Sequence, residues 1–273
     1  MALDLTLNLM GVTASDWSAA YRWYTEVLGM ETAKLDPAHG DWANLGGGWE
    51  AWYAGETALV FELFDGGRSD PDRAWGRGQG FRPAIVIPDL DAALAALRAR
   101  GVLFTGEVET VPWGRRAEFV AAEGVRWALA ESAVLHTGSG VAIPVIGLIE
   151  VKAHDLALSR AFYTDVIGLH VELAAPDTVL LAPAQGTARL ALEPGGMPVR
   201  TPPDWTAATG LSPDRAHPVF ISFMTPDVRA AAARFAAQGV TILADVQHHA
   251  SWGGTDVIIA DPDGHPVQVV QYP

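Results

Sequence analysis

Two groups of polar side chains in this 273-residue chain have the types and spacing to hold or transform a small molecule. The first group contains Glu62, within the apolar run VFELFD, and Arg82, within FRPAIV. A carboxylate and a guanidinium among apolar side chains can anchor a polar group of a ligand or exchange a proton with it. Trp42 and Trp52 precede them, and their flat rings suit aromatic ligands, although such tryptophans can equally belong to a core.

The second group lies in the second half of the chain. Glu150 and Lys152 alternate along LIEVKA, so both side chains lie on one face of a strand. Phe220 and Ser222 alternate in the same way, and Gln268 lies in the last apolar run. These residues predict a mixed pocket with one acid, one base, one amide and apolar walls. A buried glutamate and lysine would pair, so a structural ion pair is the alternative.

Cysteine and histidine chemistry adds little. The chain has no cysteine, which excludes disulfides, thiolate metal sites and a cysteine nucleophile. Of the eight histidines, His248 and His249 are adjacent, so along a strand they would point to opposite faces. His265 follows the segment DPDG, which fits a type I turn better than a calcium loop. We expect all eight to be structural or solvated, and we predict no metal and no other cofactor.

The charge balance limits the partners. The net charge of −14 makes nucleic acid and anionic membrane surfaces poor partners, because both attract cations. No apolar run approaches the roughly 20 residues of a membrane span, and the start of the chain lacks the basic flank of a signal peptide. We therefore expect a cytoplasmic protein whose partner is a small molecule, with a homodimer left open.

A repeated segment indicates the elements that position these residues. Residues 12–30 and 151–169 are identical at seven of nineteen positions with an offset of 139, so the chain contains a duplicated half. Later pairs, such as Trp113-Gly114 with Trp252-Gly253, continue the match. Each quarter has a strand, a helix that begins at an aspartate and ends at a glycine, and further short strands. The predicted unit is βαβββ, four times; its helix-start aspartates are Asp16, Asp89, Asp155 and Asp227.

The predicted fold class is α+β, with four βαβββ modules in two domains, each containing a curved mixed sheet and flanking helices. The first domain spans residues 1–133, with modules at 1–64 and 81–133. A linker covers 134–143, and the second domain spans 144–273, with modules at 144–193 and 217–273. The loops at 65–80 and 194–217 are rich in proline and glycine, and loops of this length often serve as lids or binding loops.

The helix pattern resembles the vicinal oxygen chelate superfamily, which comprises glyoxalases, bleomycin resistance proteins and extradiol dioxygenases. The resemblance rests on Asp155-Leu156, Ser159, Phe162-Tyr163 and Ile167-Gly168, and on Trp252-Gly253 followed by DPDG. It implies that paired modules form a U-shaped cup. In metal-dependent members the cup holds a divalent ion. Its ligands are side chains that lie seven residues before a helix-start aspartate or on the last strand of a module.

The residues at these implied metal positions are poor ligands. The residues that lie seven positions before the four aspartates are Leu9, Arg82, Leu148 and Phe220. The last-strand positions are Ala128 and Gln268; Glu62 lies at such a position in the first module, and Leu192 or Glu193 in the third, depending on register. We assign Glu62 and Arg82 to one cup and the second group to the other. Each cup then has too few suitable ligands, so neither is predicted to bind the metal.

The sequence thus predicts a metal-free glyoxalase/bleomycin-resistance-like protein that binds a small apolar or aromatic molecule in a cup. The alternative is a lyase, isomerase or dioxygenase of the same superfamily that uses a divalent metal or metal-free acid–base chemistry. A third possibility is a scaffold whose cups are filled by its own side chains. Fold alone does not decide among these functions.

Overall fold

A computed structural model of the chain describes residues 5–14, 16–29, 49–53, 60–65, 80–121, 124–135, 145–184, 186, 188–198, 219–250 and 253–273. The predicted α+β class, with repeated modules and curved mixed sheets, is confirmed. No helix in these ranges is long and apolar enough to cross a membrane.

The first half contains seven described strands and two helices. The strands are β1 (Thr6–Ala14), β2 (Trp49–Tyr53), β3 (Val60–Asp65), β4 (Phe81–Val86), β5 (Glu109–Val111), β6 (Gly114–Val120) and β7 (Arg126–Glu131). Helix α1 (Trp17–Arg22) continues as a π-helical turn, Trp23–Val27, and α2 spans Leu90–Ala99.

The second half repeats this order. Its strands are β8 (Val145–Ala153), β9 (His170–Ala175), β10 (Thr178–Ala182), β11 (Arg189–Pro194), β12 (Val219–Met224), β13 (Ile242–His248), β14 (Thr255–Ala260) and β15 (Pro266–Gln271). Helix α3 (Leu156–Ala161) also continues as a π-helical turn, Phe162–Val166, and α4 spans Val228–Ala237. The second, third and fourth modules are complete βαβββ units, whereas residues 30–48 of the first lie outside the described ranges.

The predicted helix starts are confirmed at all four aspartates. Each carboxylate accepts a hydrogen bond from a backbone N–H in the first turn, which satisfies a donor that the helix itself leaves unpaired. The bonds run from the amides of Ala19, Ala92, Leu158 and Ala230 to Asp16, Asp89, Asp155 and Asp227, at 2.9, 2.9, 3.0 and 2.9 Å.

The two sheets do not follow the two halves of the sequence. One has seven described strands in the order β13-β14-β15-β12-β1-β3-β2, so it joins the fourth module to the first. The other has eight, β5-β6-β7-β4-β8-β11-β10-β9, and joins the second module to the third. Antiparallel pairs between the halves, β1 with β12 and β4 with β8, make these joins. Each cup is therefore built from one module of each half.

The helices hold the two modules within each half together. In the first half, Tyr24 packs on Trp127 of β7 at 5.5 Å between ring centroids, and Arg100 donates to the carbonyl of Val27 at 2.9 Å. In the second half, Arg234 donates to the carbonyl of Asp165 at 3.3 Å. One face of each sheet thus packs into the helical core, and the opposite face is called the inner face below.

Candidate functional site

The inner face of the eight-stranded sheet carries a chain of buried ion pairs. Arg82 of β4 donates from Nε to Glu150 of β8 at 2.6 Å, and Glu150 also pairs with Arg116 of β6. Arg116 continues to Glu193 of β11, which pairs with Lys152 at 3.0 Å. Glu150 is fully buried and Arg82 is 3% exposed. Opposite charges from four strands neutralise each other here, and Arg116 of β6 reaches glutamates on β8 and β11, which are not adjacent to its own strand.

Flanking carboxylates extend this network and respond to its charge. Glu118 pairs with Arg82 and Arg126, and Glu109 accepts from Arg116 at 2.7 Å. Burial by itself would raise the pKa of Glu118 and of Glu193, but hydrogen bonds and the nearby cations hold both values below the usual range. Burial would lower the pKa of Arg116, but Glu150, Glu193 and Glu109 raise it above its usual value. The members of the network therefore stay charged, and most of their hydrogen-bonding groups are paired with other members.

This inner face does not fit the divalent ion that the resemblance implies. The register places Ala191 beside Glu150 as it places Glu62 beside Gly11, so Ala191 is the third-module equivalent of Glu62. The expected equivalents, Leu192 or Glu193, are therefore wrong by one or two residues. The four implied metal positions in this sheet are Arg82, Ala128, Leu148 and Ala191, and none supplies an oxygen or imidazole ligand.

The inner face of the seven-stranded sheet has a shorter line of polar groups. Ser222 of β12 is fully buried, and within the described part of the chain its hydroxyl has no hydrogen-bond partner. Gln268 of β15 lies beside it in the parallel register and donates from Nε2 to Oδ2 of Asp256, on β14, at 2.6 Å. The other oxygen of Asp256 lies 2.9 Å from Nε2 of His249. The line therefore runs from Ser222 through Gln268 and Asp256 to His249.

Alternation along the strands places this polar line opposite the helical core. Ile221 and Phe223, on either side of Ser222, belong to the core, as do Val267 and Val269 on either side of Gln268. The face around the polar line is apolar: Val270 and Ala260 are buried, Ile258 is half-buried and Met224 is 41% exposed. This combination of an apolar surface and a few polar groups is typical of small-molecule sites.

The implied metal positions of this sheet are Leu9, Glu62, Phe220 and Gln268. Only two of these carry oxygen donors, and Gln268 turns its amide nitrogen to Asp256. Across the described ranges, no group of three or more His, Cys, Asp and Glu residues is arranged to hold a metal ion. The donor set does not fit the family metal here either.

The structure corrects how the sequence grouped its site residues. Glu62 lies in β3 of the seven-stranded sheet and Arg82 in β4 of the eight-stranded one, so the expected pair is wrong. Likewise, Glu150 and Lys152 lie on a different sheet from the remaining members of the second group, Phe220, Ser222 and Gln268. The reason is the exchange of modules: each strand pairs with the opposite half of the chain.

Several predicted residues are located only by their backbone. Glu62 is in register with Gly11, and Gly11 with Phe220, so these positions form one row across the seven-stranded sheet. Trp52 lies in the adjacent strand β2, beside Phe61. Their side chains, and the whole of Trp42, lie outside the described part of the chain. Their role at a ligand site stays a prediction.

Sequence reasoning missed Asp256, His249 and Arg116. Asp256 is an isolated carboxylate in the apolar run TDVIIA, and that was the available signal. His249 was expected to lie in a surface loop, but its ring is mostly buried against Asp256. Arg116 was missed because its partners lie 34 and 77 residues away.

The DPDG segment is a structural turn, as expected. The N–H of Gly264 donates to the carbonyl of Asp261 at 3.0 Å, which closes the turn. Asp261 accepts from the Tyr163 hydroxyl at 3.0 Å and lies 2.9 Å from Nδ1 of His265. His265 is fully buried, and its Nε2 accepts from the amide of Gly80 at 2.8 Å. This histidine therefore links the two sheets and contributes to neither inner face.

Comparisons with known proteins agree with this architecture. The model of the Glyoxalase/Bleomycin resistance protein/Dioxygenase superfamily matches residues 6–129 and 145–269. Glyoxalase I from Zea mays shares 17% sequence identity over 98% of this chain and 92% of its own, with a TM-score of 0.67. A proposed dioxygenase from Bacillus subtilis shares 13% identity over 100% of this chain and 87% of its own, with a TM-score of 0.69. Among curated proteins no sequence matches. At these identities the structural likeness concerns the fold.

Proposed function

This chain belongs to the Glyoxalase/Bleomycin resistance protein/Dioxygenase superfamily, and we propose that it binds a small, mostly apolar or aromatic molecule on the inner face of its seven-stranded sheet. Binding needs no metal ion in this proposal, because the residues at the family's metal positions are unsuitable ligands. Sequestration or transport of the bound molecule would then be the activity.

One observation carries the proposal: the fully buried Ser222 hydroxyl has no hydrogen-bond partner among the residues that the structure describes. A buried hydroxyl without a partner costs the folded protein about 1–3 kcal/mol. A ligand group that bonds to Ser222 would recover this energy. The equivalent position in the eight-stranded sheet is Ala84, which has the same relation to Ala128 as Ser222 has to Gln268.

The two inner faces differ in what they leave available. On the eight-stranded sheet, Arg82, Glu150, Arg116 and Glu193 bind one another across the face. A ligand there would have to displace buried ion pairs, each of which is expensive to break. On the seven-stranded sheet the polar line is short and the face around it is apolar, so an apolar ligand would displace fewer charged groups.

The test is a titration of the protein with naphthol, followed by quenching of tryptophan fluorescence. Saturable quenching that is lost in Ser222→Leu, where the new side chain fills the inner face, supports the site. Lys152→Ala is the matched control on the other inner face and should bind naphthol normally. If Lys152→Ala abolishes binding and Ser222→Leu retains it, the ligand occupies the wrong sheet for this proposal.

A metal-free enzyme is the second candidate, and the His249–Asp256 pair favours it. A carboxylate 2.9 Å from Nε2 fixes the orientation of an imidazole, as in many general acid–base pairs. This function would convert a small molecule that co-purifies with the protein, and mass spectrometry would follow the conversion. The expected result is that His249→Gln stops the conversion while binding persists. If the wild-type protein returns the molecule unchanged, binding without catalysis is the function that remains.

A further inference from the structure

We infer that the ligand group anchored on the seven-stranded sheet is a neutral hydrogen-bond donor, such as a hydroxyl or an amide N–H, and that Asp256 sets this preference by orienting the amide of Gln268. The inference rests on the proposed binding function and specifies the chemistry of its ligand. It is carried by three side chains on neighbouring strands: Ser222, Gln268 and Asp256.

The orientation of Gln268 follows from what a carboxylate can do. A carboxylate accepts hydrogen bonds and donates none, so the atom of Gln268 that lies 2.6 Å from Asp256 must be the amide nitrogen. Turning the amide over would press two acceptors together. The carbonyl oxygen, Oε1, is therefore held on the side away from Asp256.

His249 keeps Asp256 in place. Its Nε2 lies 2.9 Å from Oδ1, while Gln268 uses Oδ2, so both carboxylate oxygens have a partner. Asp256 is 4% exposed, and a buried carboxylate with both oxygens engaged has little freedom to rotate. Asp256 thus acts as a positioning residue for Gln268 and is not available as a direct anchor.

Two polar functions remain for a ligand. Gln268 Oε1 accepts hydrogen bonds, and within the described ranges no residue donates to it. The Ser222 hydroxyl, on the adjacent strand in register, can donate or accept. A hydroxyl on the ligand can donate to Oε1 and accept from Ser222 at once, whereas an ether can only accept from Ser222.

The charge of the site excludes anions as the preferred ligands. Asp256 places a negative charge directly behind Gln268, and the carbonyl dipole of Gln268 points its negative end toward the ligand. A carboxylate ligand would meet both unfavourably. Arg82, Arg116 and Lys152, whose positive charge would attract a carboxylate, lie on the other sheet and are paired with glutamates there.

The other inner face provides an internal comparison. There the positions equivalent to Ser222 and Gln268 are Ala84 and Ala128. The position equivalent to Asp256 is Arg116. Asp256 pairs with Val270, two residues after Gln268, and Arg116 pairs with Ala130, two residues after Ala128. The polar triad therefore belongs to one cup only, although the two cups share a backbone design.

The experiment compares naphthol, methoxynaphthalene and naphthoate, which have the same ring but differ in donor capacity and charge. We expect the wild-type protein to bind naphthol about tenfold more tightly than methoxynaphthalene, the effect of one net hydrogen bond, and to bind naphthoate most weakly. Gln268→Met has a similar shape without the acceptor, so the ratio should fall to about one. Asp256→Ala should lower the ratio as well, because the Gln268 amide is then free to turn.

The ratio of the two affinities separates positioning from general damage. A variant that merely loosens the fold weakens the binding of both ligands together and leaves the ratio intact. Lys152→Ala, on the other sheet, should leave both affinities and their ratio unchanged. A wild-type ratio near one, or a ratio that Gln268→Met and Asp256→Ala leave unchanged, overturns this inference while naphthol binding still supports the proposed function. Absence of saturable binding for all three compounds overturns both.

Discussion

Replacing Arg116 with methionine tests the ion-pair network of the eight-stranded sheet most directly. Methionine keeps the length of the arginine stem and removes only the charged head. The substitution takes one cation from Glu109, Glu150 and Glu193 simultaneously. It lies on the sheet without the proposed ligand site, so its effect should appear in stability.

The magnitude follows from what remains of the network. Glu150 is fully buried and keeps Arg82 at 2.6 Å, and Glu193 keeps Lys152 at 3.0 Å. Removing one member of a buried ion pair costs about 3–5 kcal/mol, and we expect about 3 kcal/mol here because both buried carboxylates retain one cation and Glu109, which loses its cation, is exposed to solvent. For a protein of this size that corresponds to a fall of roughly 6–12 °C in Tm.

The assay is urea unfolding followed by tryptophan fluorescence, with Arg115→Met as the control. Arg115 is the preceding residue on the same strand, and it pairs with the exposed Asp91 at 2.9 Å. Solvent screens that pair, so its loss should leave the urea midpoint close to that of the wild type. The two variants remove the same chemical group and differ in burial.

Equal midpoints for Arg115→Met and Arg116→Met would refute the reasoning. They would mean that the buried pairs contribute no more than an exposed one. A second check replaces Glu150, Glu193 and Arg116 together with apolar residues of similar volume. This triple variant should recover part of the loss, because no buried carboxylate is left without its cation: Arg82 keeps Glu118, while the partners lost by Lys152 and Glu109 leave charges that water reaches.

Three further predictions follow from the described contacts. Burial would raise the pKa values of Glu118 and Glu193, but their hydrogen bonds and the nearby cations lower them in the folded protein. The stability that these two residues contribute is therefore complete above about pH 5 and is lost as the pH falls through their folded pKa values. Urea midpoints that stay constant down to about pH 3 would contradict this. Ser222→Ala should leave thermal stability unchanged or raise it by up to about 1 kcal/mol, because no described residue bonds to the hydroxyl; a clear loss in calorimetry would mean that it has a partner. Tyr163→Phe should cost about 2 kcal/mol by the same measurement, since it removes a buried hydrogen bond to the Asp261 carboxylate, and an unchanged Tm would argue against that bond.

Local structure was predictable because its causes lie within a few residues. The helix starts at Asp16, Asp89, Asp155 and Asp227 each depend on an amide two or three residues further along. The positive φ angles of Gly29 and Gly168, 78° and 96°, likewise follow from the need to end a helix. Repetition of these local signals was enough to indicate four modules.

The candidate site was predictable only in part. Ser222 and Gln268 were identified by strand alternation, and the structure brings them together on one inner face. Their orienting partner, Asp256, was not identified, because its contact with Gln268 depends on the strand pairing of β14 with β15. Grouping Glu62 with Arg82 failed for a related reason, since proximity in sequence was taken for proximity in a sheet.

The sequence by itself determined the module and the fold class, because each depends on residue type and local spacing. The metal positions came from the family resemblance, and the strand register was needed to assign the one in the third module to Ala191. Only the tertiary structure decided which modules share a cup. That choice is made by backbone hydrogen bonds between β1 and β12 and between β4 and β8, which join positions far apart in the chain. Backbone groups are alike in every residue, so the sequence carries no direct signal for the pairing. The pairing nevertheless separates Arg82 and Glu150, on a face filled by ion pairs, from Ser222 and Gln268, on the face that we propose as the ligand site.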